Sequence, residues 1–409
     1  MKVNEHFFFL FFPFFLIFGS CSNDSSFSNV KVVKNPFVGK LRPTHILEES
    51  ADVIFQLDSL TAPKIEYAQF LELPDGKRVL SFLNHYTSAI YQYDYDTRQI
   101  INSINIGSNL LPDSTEKVQP KAYHLSGLDS VYIYNQGNME YLLYNKRNND
   151  LTRISLIADQ DLRTEPWYLQ YPQYYPQGTN QIVKIGDRIF FSGQTFQVLK
   201  NDLLKNFRFV SSTNVSNDNV DFLYNYPDSL YGSNYNWGGD KFFETYMAYN
   251  ADRNILVFSF PVSHNLYITA PGQDAYSASE FAGSNYIEDI RSMATEVDKL
   301  TEESLVEHTL RSDEYASVRY DPYRKVYYRF VRHGIKDYSK SSKWNDKSVS
   351  VIILDENFKY IGEKNLGLLK NWFIQNVFVS DEGLHIEYIP DNLDEERLIY
   401  KTFKITIKA

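Results

Sequence analysis

One cysteine, Cys21, is the whole thiol content of a chain of 409 residues, so no internal disulfide can brace the fold. A basic excess is also missing: 41 Lys and Arg stand against 51 Asp and Glu, a formal net charge of -10. Nucleic acid and anionic lipid headgroups are therefore excluded as main partners, since either needs a basic face. The longest apolar run, residues 7–18, is too short to span a bilayer. The chain carries no His-Glu-x-x-His, Gly-x-Ser-x-Gly, phosphate loop or dinucleotide fingerprint, and neither a cofactor nor a catalytic residue is expected. The acidic cluster 217–221 lacks the glycine and terminal Glu of an EF-hand loop and reads as a polar turn, and the scattered histidines lack ligand spacing, so no metal site is expected.

The position of the single cysteine carries information. It follows an apolar run headed by Lys2 and the small pair Gly19-Ser20, the layout of an export signal with its cleavage site. Ile17-Phe18-Gly19-Ser20-Cys21 resembles the lipobox of bacterial lipoproteins. That resemblance implies a signal peptide over residues 1–20, lipid attachment at Cys21 and a membrane partner reached through the lipid anchor. The alternative is a conventional secretory signal beside an incidental thiol. Residues 22–40, rich in Ser and Asn, read with Cys21 as a flexible tether, 21–40, ahead of a single domain over 41–409.

What the chain has in quantity is aromatic: 32 Tyr and 29 Phe, residues that favour pleated, half-buried surfaces. Four short strand-like runs, 67–73, 77–83, 88–94 and 98–106, follow one another with turn residues between them, the size of one propeller blade. The pattern returns at 122–157, 181–192, 244–269, 315–363 and 373–407, although the outer strands of the third unit are not legible. The expected fold class is all-β, a β-propeller of six blades, or seven, with a large sandwich or two small barrels as the competing readings. The run 53–57 is placed to pair with the last blade and close the ring. Residues 284–312 break the pattern with apolar positions at largely helical spacing. They are expected as a helical insertion, or a helix pair broken near Thr301, packed against the ring.

The stretch from Tyr315 to Phe330, with its Tyr320-Asp321-Pro322-Tyr323-Arg324-Lys325 turn, resembles an uncharacterised family of Bacteroidota lipoproteins, domain of unknown function 4221. The resemblance implies a six- or seven-bladed propeller attached to the bacterial outer membrane, on its periplasmic or surface face, and supplies no catalytic residues. Two segments, 166–176 and 231–239, are loop-like yet dense in Trp and Tyr. Trp167, Tyr168, Tyr171, Tyr174, Tyr175, Tyr235 and Trp237 are the candidate ligand-binding residues, because rings beside Asn and Gln amides suit sugars or an extended peptide. The alternative is that these rings tuck between blades. The expected function is a membrane-anchored, non-enzymatic module binding a glycan, peptide or partner protein. A polysaccharide hydrolase or lyase with carboxylates drawn from different blades is the other reading.

Overall fold

A strand such as Val326–His333, whose first seven residues are all buried, needs a packing partner on each face. Radial repetition of twisted sheets provides this without leaving long open edges. The computed structural model describes residues 30–61, 65–106, 110, 118–157, 171–174, 177–196, 199, 201–392 and 395–408, and among them this is the arrangement found. Five sheets of four antiparallel strands and a sixth completed from both chain ends form a six-bladed propeller. Blades 1 to 5 run in chain order over 65–105, 120–155, 183–223, 246–281 and 314–368.

The turns explain why the blades form where they do. At the end of a strand an Asx side chain repeatedly accepts from backbone N–H groups two or three residues on. Asp94 bonds Thr97 at 2.8 Å, Asn145 bonds Arg147 at 3.0 Å, Asn250 bonds Arg253 at 3.0 Å and Asp321 bonds Tyr323 at 3.0 Å. The residue closing each of these turns is left-handed: Arg98, Asn149, Asn254 and Lys325 have φ between 49° and 62°. These local bonds set hairpin register from a handful of residues. The cluster 217–221 is another such turn, with Asn217 Oδ1 accepting from the Asn219 N–H at 3.2 Å and Asp221 paired to Arg188 at 2.7 Å.

Closure takes the expected route and extends it. In blade 6 the strands Trp372–Ser380, Gly383–Tyr388 and Arg397–Ile407 pair in order, and the free edge of the last is covered by two N-terminal strands. Val53–Gln56 pairs with its first half, Phe55 opposite Leu398, and His45–Glu49 pairs with its second half, Leu47 opposite Ile405. The outer strands missing from the sequence reading are Val210–Asn214 and Val220–Leu223 in blade 3 and Ala278–Phe281 in blade 4.

Two expectations need correction in extent. The tether of 21–40 is not free throughout: Val32–Lys34 forms an antiparallel pair with Asp289–Arg291, and Asn35 is buried, donating to the Ser284 and Ile287 carbonyls. Residues 21–29, and Cys21 with them, lie outside the described residues. The insertion 284–312 is α-helical only over Glu302–Arg311, where Thr301 and Ser304 build a reciprocal cap at the break foreseen near Thr301. Its first half is extended because Asp289–Arg291 finds a strand partner, whose ladder bonds outweigh a short helix.

Candidate binding face

Because the strands alternate in direction, connections from first to second and third to fourth strand lie at one end of the propeller. Those from second to third strand, and from blade to blade, lie at the other. The first end carries tight turns, with 270–277 the longest. The second carries the longer connections, among whose described residues are 177–182, 201–209, 224–245, 282–313 and 334–347. Among the described residues the longer connections are thus gathered on one face, held by the sheets beneath them.

The described parts of the aromatic segments, 171–174 and 231–239, belong to this loop face, and their rings point mostly inward. Trp237 is fully buried and donates from Nε1 to the Leu230 carbonyl at 3.0 Å. Tyr174 is buried and stacked on Phe191 with centroids 4.6 Å apart. Tyr171 is half-buried, its ring 5.1 Å from Phe222, and Tyr235 is half-buried with Lys31 Nζ 5.4 Å from its centroid. Trp167, Tyr168 and Tyr175 lie outside the described residues. The structure does not bring Trp237, Tyr174 and Tyr235 together as one platform. Among the described residues, the most exposed rings on this face are instead Tyr86, in the turn 85–88, and Tyr286, 74% and 62% exposed. Neither sits in an aromatic-rich run, so composition gave no signal for them.

The helix Glu302–Arg311 holds the second aromatic segment down. His308 Nε2 donates to the Trp237 carbonyl at 3.1 Å, and burial lowers His308 to about 4. Gly238, at φ 86°, admits it: a Cβ there would stand 2.6 Å from the His308 ring. The helix is fastened to blade 5 by buried charge. Lys347 Nζ donates to the Thr309 and Ser312 carbonyls at 2.9 Å and faces Glu314 at 3.6 Å, which Arg332 meets at 3.2 Å. The insertion therefore docks on the ring, as its apolar stripe foretold.

On the axis, the first strands of successive blades lie against one another: Ile65–Glu72 against Trp372–Ser380 and Pro120–Leu125, and Glu314–Asp321 against Tyr246–Asn250. The segment 177–182, arriving from the loop face, crosses between them. Gln181 Nε2 donates to the Ala68 carbonyl at 3.0 Å, the Ile182 N–H to Tyr67 Oη at 2.6 Å and Gln375 Nε2 to Gln177 Oε1 at 3.0 Å, while Arg319 donates to the Gly178 carbonyl. A segment that touches blades 1, 5 and 6 before entering blade 3 must traverse the axis, so it plugs the channel. A bulge between Glu66 and Gln69 puts Tyr67 at φ 56° and aims its hydroxyl at the plug.

One chain of groups has the order of a catalytic triad. Ser350 Oγ lies 2.8 Å from His333 Nε2, and His333 Nδ1 lies 3.6 Å from Asp313. Yet Ser350 is fully buried, and its hydroxyl also meets Glu363 at 2.7 Å. Glu363 in turn accepts from Ser284 Oγ and the Asn285 N–H at 2.7 and 2.8 Å. The buried hydroxyl is committed to a half-buried carboxylate that pins the insertion.

A family model described as "Domain of unknown function (DUF4221)" matches residues 44–365. The crystal structure of a DUF4221 member from Bacteroides vulgatus is similar to this chain at a TM-score of 0.68 and 18% identity, covering 89% of this chain and 99% of that one. The hydrazine synthase of Kuenenia stuttgartiensis is similar at a TM-score of 0.43 and 12% identity, covering 78% and 72%. A comparison with curated proteins finds no match.

Proposed function

The chain belongs to the DUF4221 family, and from that premise we propose that it is a lipid-anchored protein of the bacterial outer membrane whose loop-bearing propeller face binds a glycan or peptide without altering it. The observation that carries this reading is the asymmetry of the two faces, tight turns on one and the long connections on the other. Recognition surfaces are built in that way, on variable chain held by a rigid scaffold. Tyr86 and Tyr286 add exposed rings to the long-connection face, and a ring there offers apolar area with a hydroxyl at its edge. Attachment through Cys21 leaves the domain at the membrane surface, since two or more acyl chains hold where one would exchange.

Purified protein probed against glycan and peptide arrays tests the reading. Tyr86→Ala and Tyr286→Ala should each weaken binding about tenfold and leave unfolding unchanged, because neither ring is in the core. Cleavage of a bound polysaccharide in a turnover assay would overturn the non-enzymatic claim. Cys21→Ser should move the protein from the membrane to the soluble fraction, and continued membrane attachment would overturn the anchor.

A further inference from the structure

We infer that the axial channel contains a binding site for a small carboxylate-bearing ligand, anchored by the Arg319 guanidinium. The site is separate from the loop face and does not depend on the reading of that face.

A guanidinium presents five N–H donors in one plane and keeps its charge, so when buried it requires acceptors or a counter-charge. Two buried arginines in this protein meet that requirement. Arg329 donates to the carbonyls of Ser263, Ala282 and His264 at 2.7, 3.0 and 3.2 Å and to Ser259 Oγ at 3.0 Å, with the Tyr315 ring 3.7 Å from its Cζ. Arg332 meets Glu314 at 3.2 Å. Arg319 has one acceptor and no counter-charge among the described residues. Its bond is to the Gly178 carbonyl, and its buried Nε has no partner among the described residues. Burial pulls its pKa down to about 10, which leaves it charged at neutral pH.

Its position gives the unmet Nε donor a purpose. Arg319 stands on the innermost strand of blade 5, two residues from the tight-turn end, and reaches the plug from that side. Arg319 as a whole is half-buried, so part of the side chain meets solvent at the axis while Nε does not. Acids elsewhere on the inner strands are engaged: Glu66 with His85 at 2.5 Å and Glu72 with Tyr323 Oη at 2.8 Å. Glu387, on the next strand of blade 6, accepts from Asn376 at 2.6 Å. One guanidinium balances one negative charge, and its planar fork matches the two oxygens of a carboxylate better than a phosphate dianion, which needs further cations. An acidic sugar or the C-terminus of a peptide supplies that group.

Calorimetry and thermal unfolding of the full mature chain in detergent, with galacturonate and acetyl-alanyl-alanine as probes, test the site. Galactose and acetyl-alanyl-alanine amide are the uncharged controls. At least one acid should bind and raise the melting temperature while its control does not. Response to galacturonate alone assigns an acidic glycan, and response to the peptide acid alone assigns a chain terminus. Arg319→Met should weaken binding about tenfold or more, with its own stability equal or higher because a half-buried charge without a counter-charge is removed. Tyr86→Ala and Tyr286→Ala should leave this response intact, which separates it from the loop face. Unchanged binding in Arg319→Met, or no response to either acid in the wild type, overturns the site. Should Arg319→Met unfold, wild-type crystals soaked in 5-bromofuroate decide: an anomalous bromine peak beside the guanidinium upholds the proposal, and its absence refutes it.

Discussion

His264 Nε2 donates to the Val33 carbonyl at 3.1 Å, while His264 Nδ1 accepts from Tyr315 Oη at 2.7 Å. One imidazole thus joins blade 4, blade 5 and the N-terminal strand 32–34. The arrangement requires the neutral ring, because Nδ1 must accept. Burial, with the charge of Arg329 adding to it, lowers His264 to about 4.

Three more histidines share this condition. Burial lowers His124 and His308 to about 4 and His385 to about 3, the last held between Ser380 Oγ at 2.7 Å and Thr402 Oγ1 at 3.0 Å. In the unfolded chain they titrate near 6.5. Their contribution is therefore present above pH 6.5 and lost as pH falls through 4, on the order of 3 kcal/mol for one such ring. Calorimetric melting should show a steep loss of stability between pH 6.5 and 4, and His264→Gln should show a shallower one. A flat profile across that window would contradict the neutral-imidazole assignment.

Glu387 works in the opposite sense. Burial raises it to about 8 against one stabilising bond from Asn376. A raised carboxyl contributes stability below its unfolded value, and that contribution is lost as pH rises through 8. Urea unfolding at pH 6 and pH 9 should show the wild type weakening at the higher pH, with Glu387→Gln weakening less. Equal losses in the two proteins would refute the assignment.

Phe55 is the wedge of the closing strand. It is fully buried, with ring centroids 5.5 Å from Tyr93 and 6.4 Å from Tyr400. Phe55→Ala should cost about 3–5 kcal/mol by leaving a cavity where the two chain ends meet. Hydrogen exchange should then report loss of protection first in Arg397–Ile407, which Val53–Gln56 covers.

Gly178 tests the plug. A Cβ there would stand 1.9 Å from the Gln375 carbonyl oxygen, so Gly178→Ala forces backbone apart across the axis. A loss of about 2 kcal/mol or more is expected in chemical denaturation, the scale of an overpacked core. A silent substitution would show that the segment does not press on blade 6.

Trp237 separates the two readings of the aromatic loops. Its ring is in the core, so Trp237→Ala should lower stability by about 3–5 kcal/mol. Intact stability with lost ligand binding would instead return Trp237 to a recognition role.

Much of the architecture was legible because its signals are local. The Asx turns at Asp94, Asn145, Asn250 and Asp321 need only the next few residues to form, and the alternation between them marks four strands at a time. The closing role of 53–57 was readable from its place ahead of the first blade. The candidate site was less legible. Tyr86 and Tyr286 are single rings among polar neighbours, and Arg319 differs from Arg329 and Arg332 only in what surrounds it.

By itself, then, the sequence determined an all-β ring of repeated hairpins, a helical insertion with a break near Thr301 and a lone cysteine behind an export-like segment, since each depends on chemistry within a short window. Only the tertiary structure decided that Trp237 faces inward, that Val32–Lys34 pairs with Asp289–Arg291, and that 177–182 fills the axis beneath which the Arg319 Nε is left without an acceptor. Those outcomes rest on pairings between residues far apart in the chain, and which distant surface wins such a competition is settled by packing that no local pattern encodes.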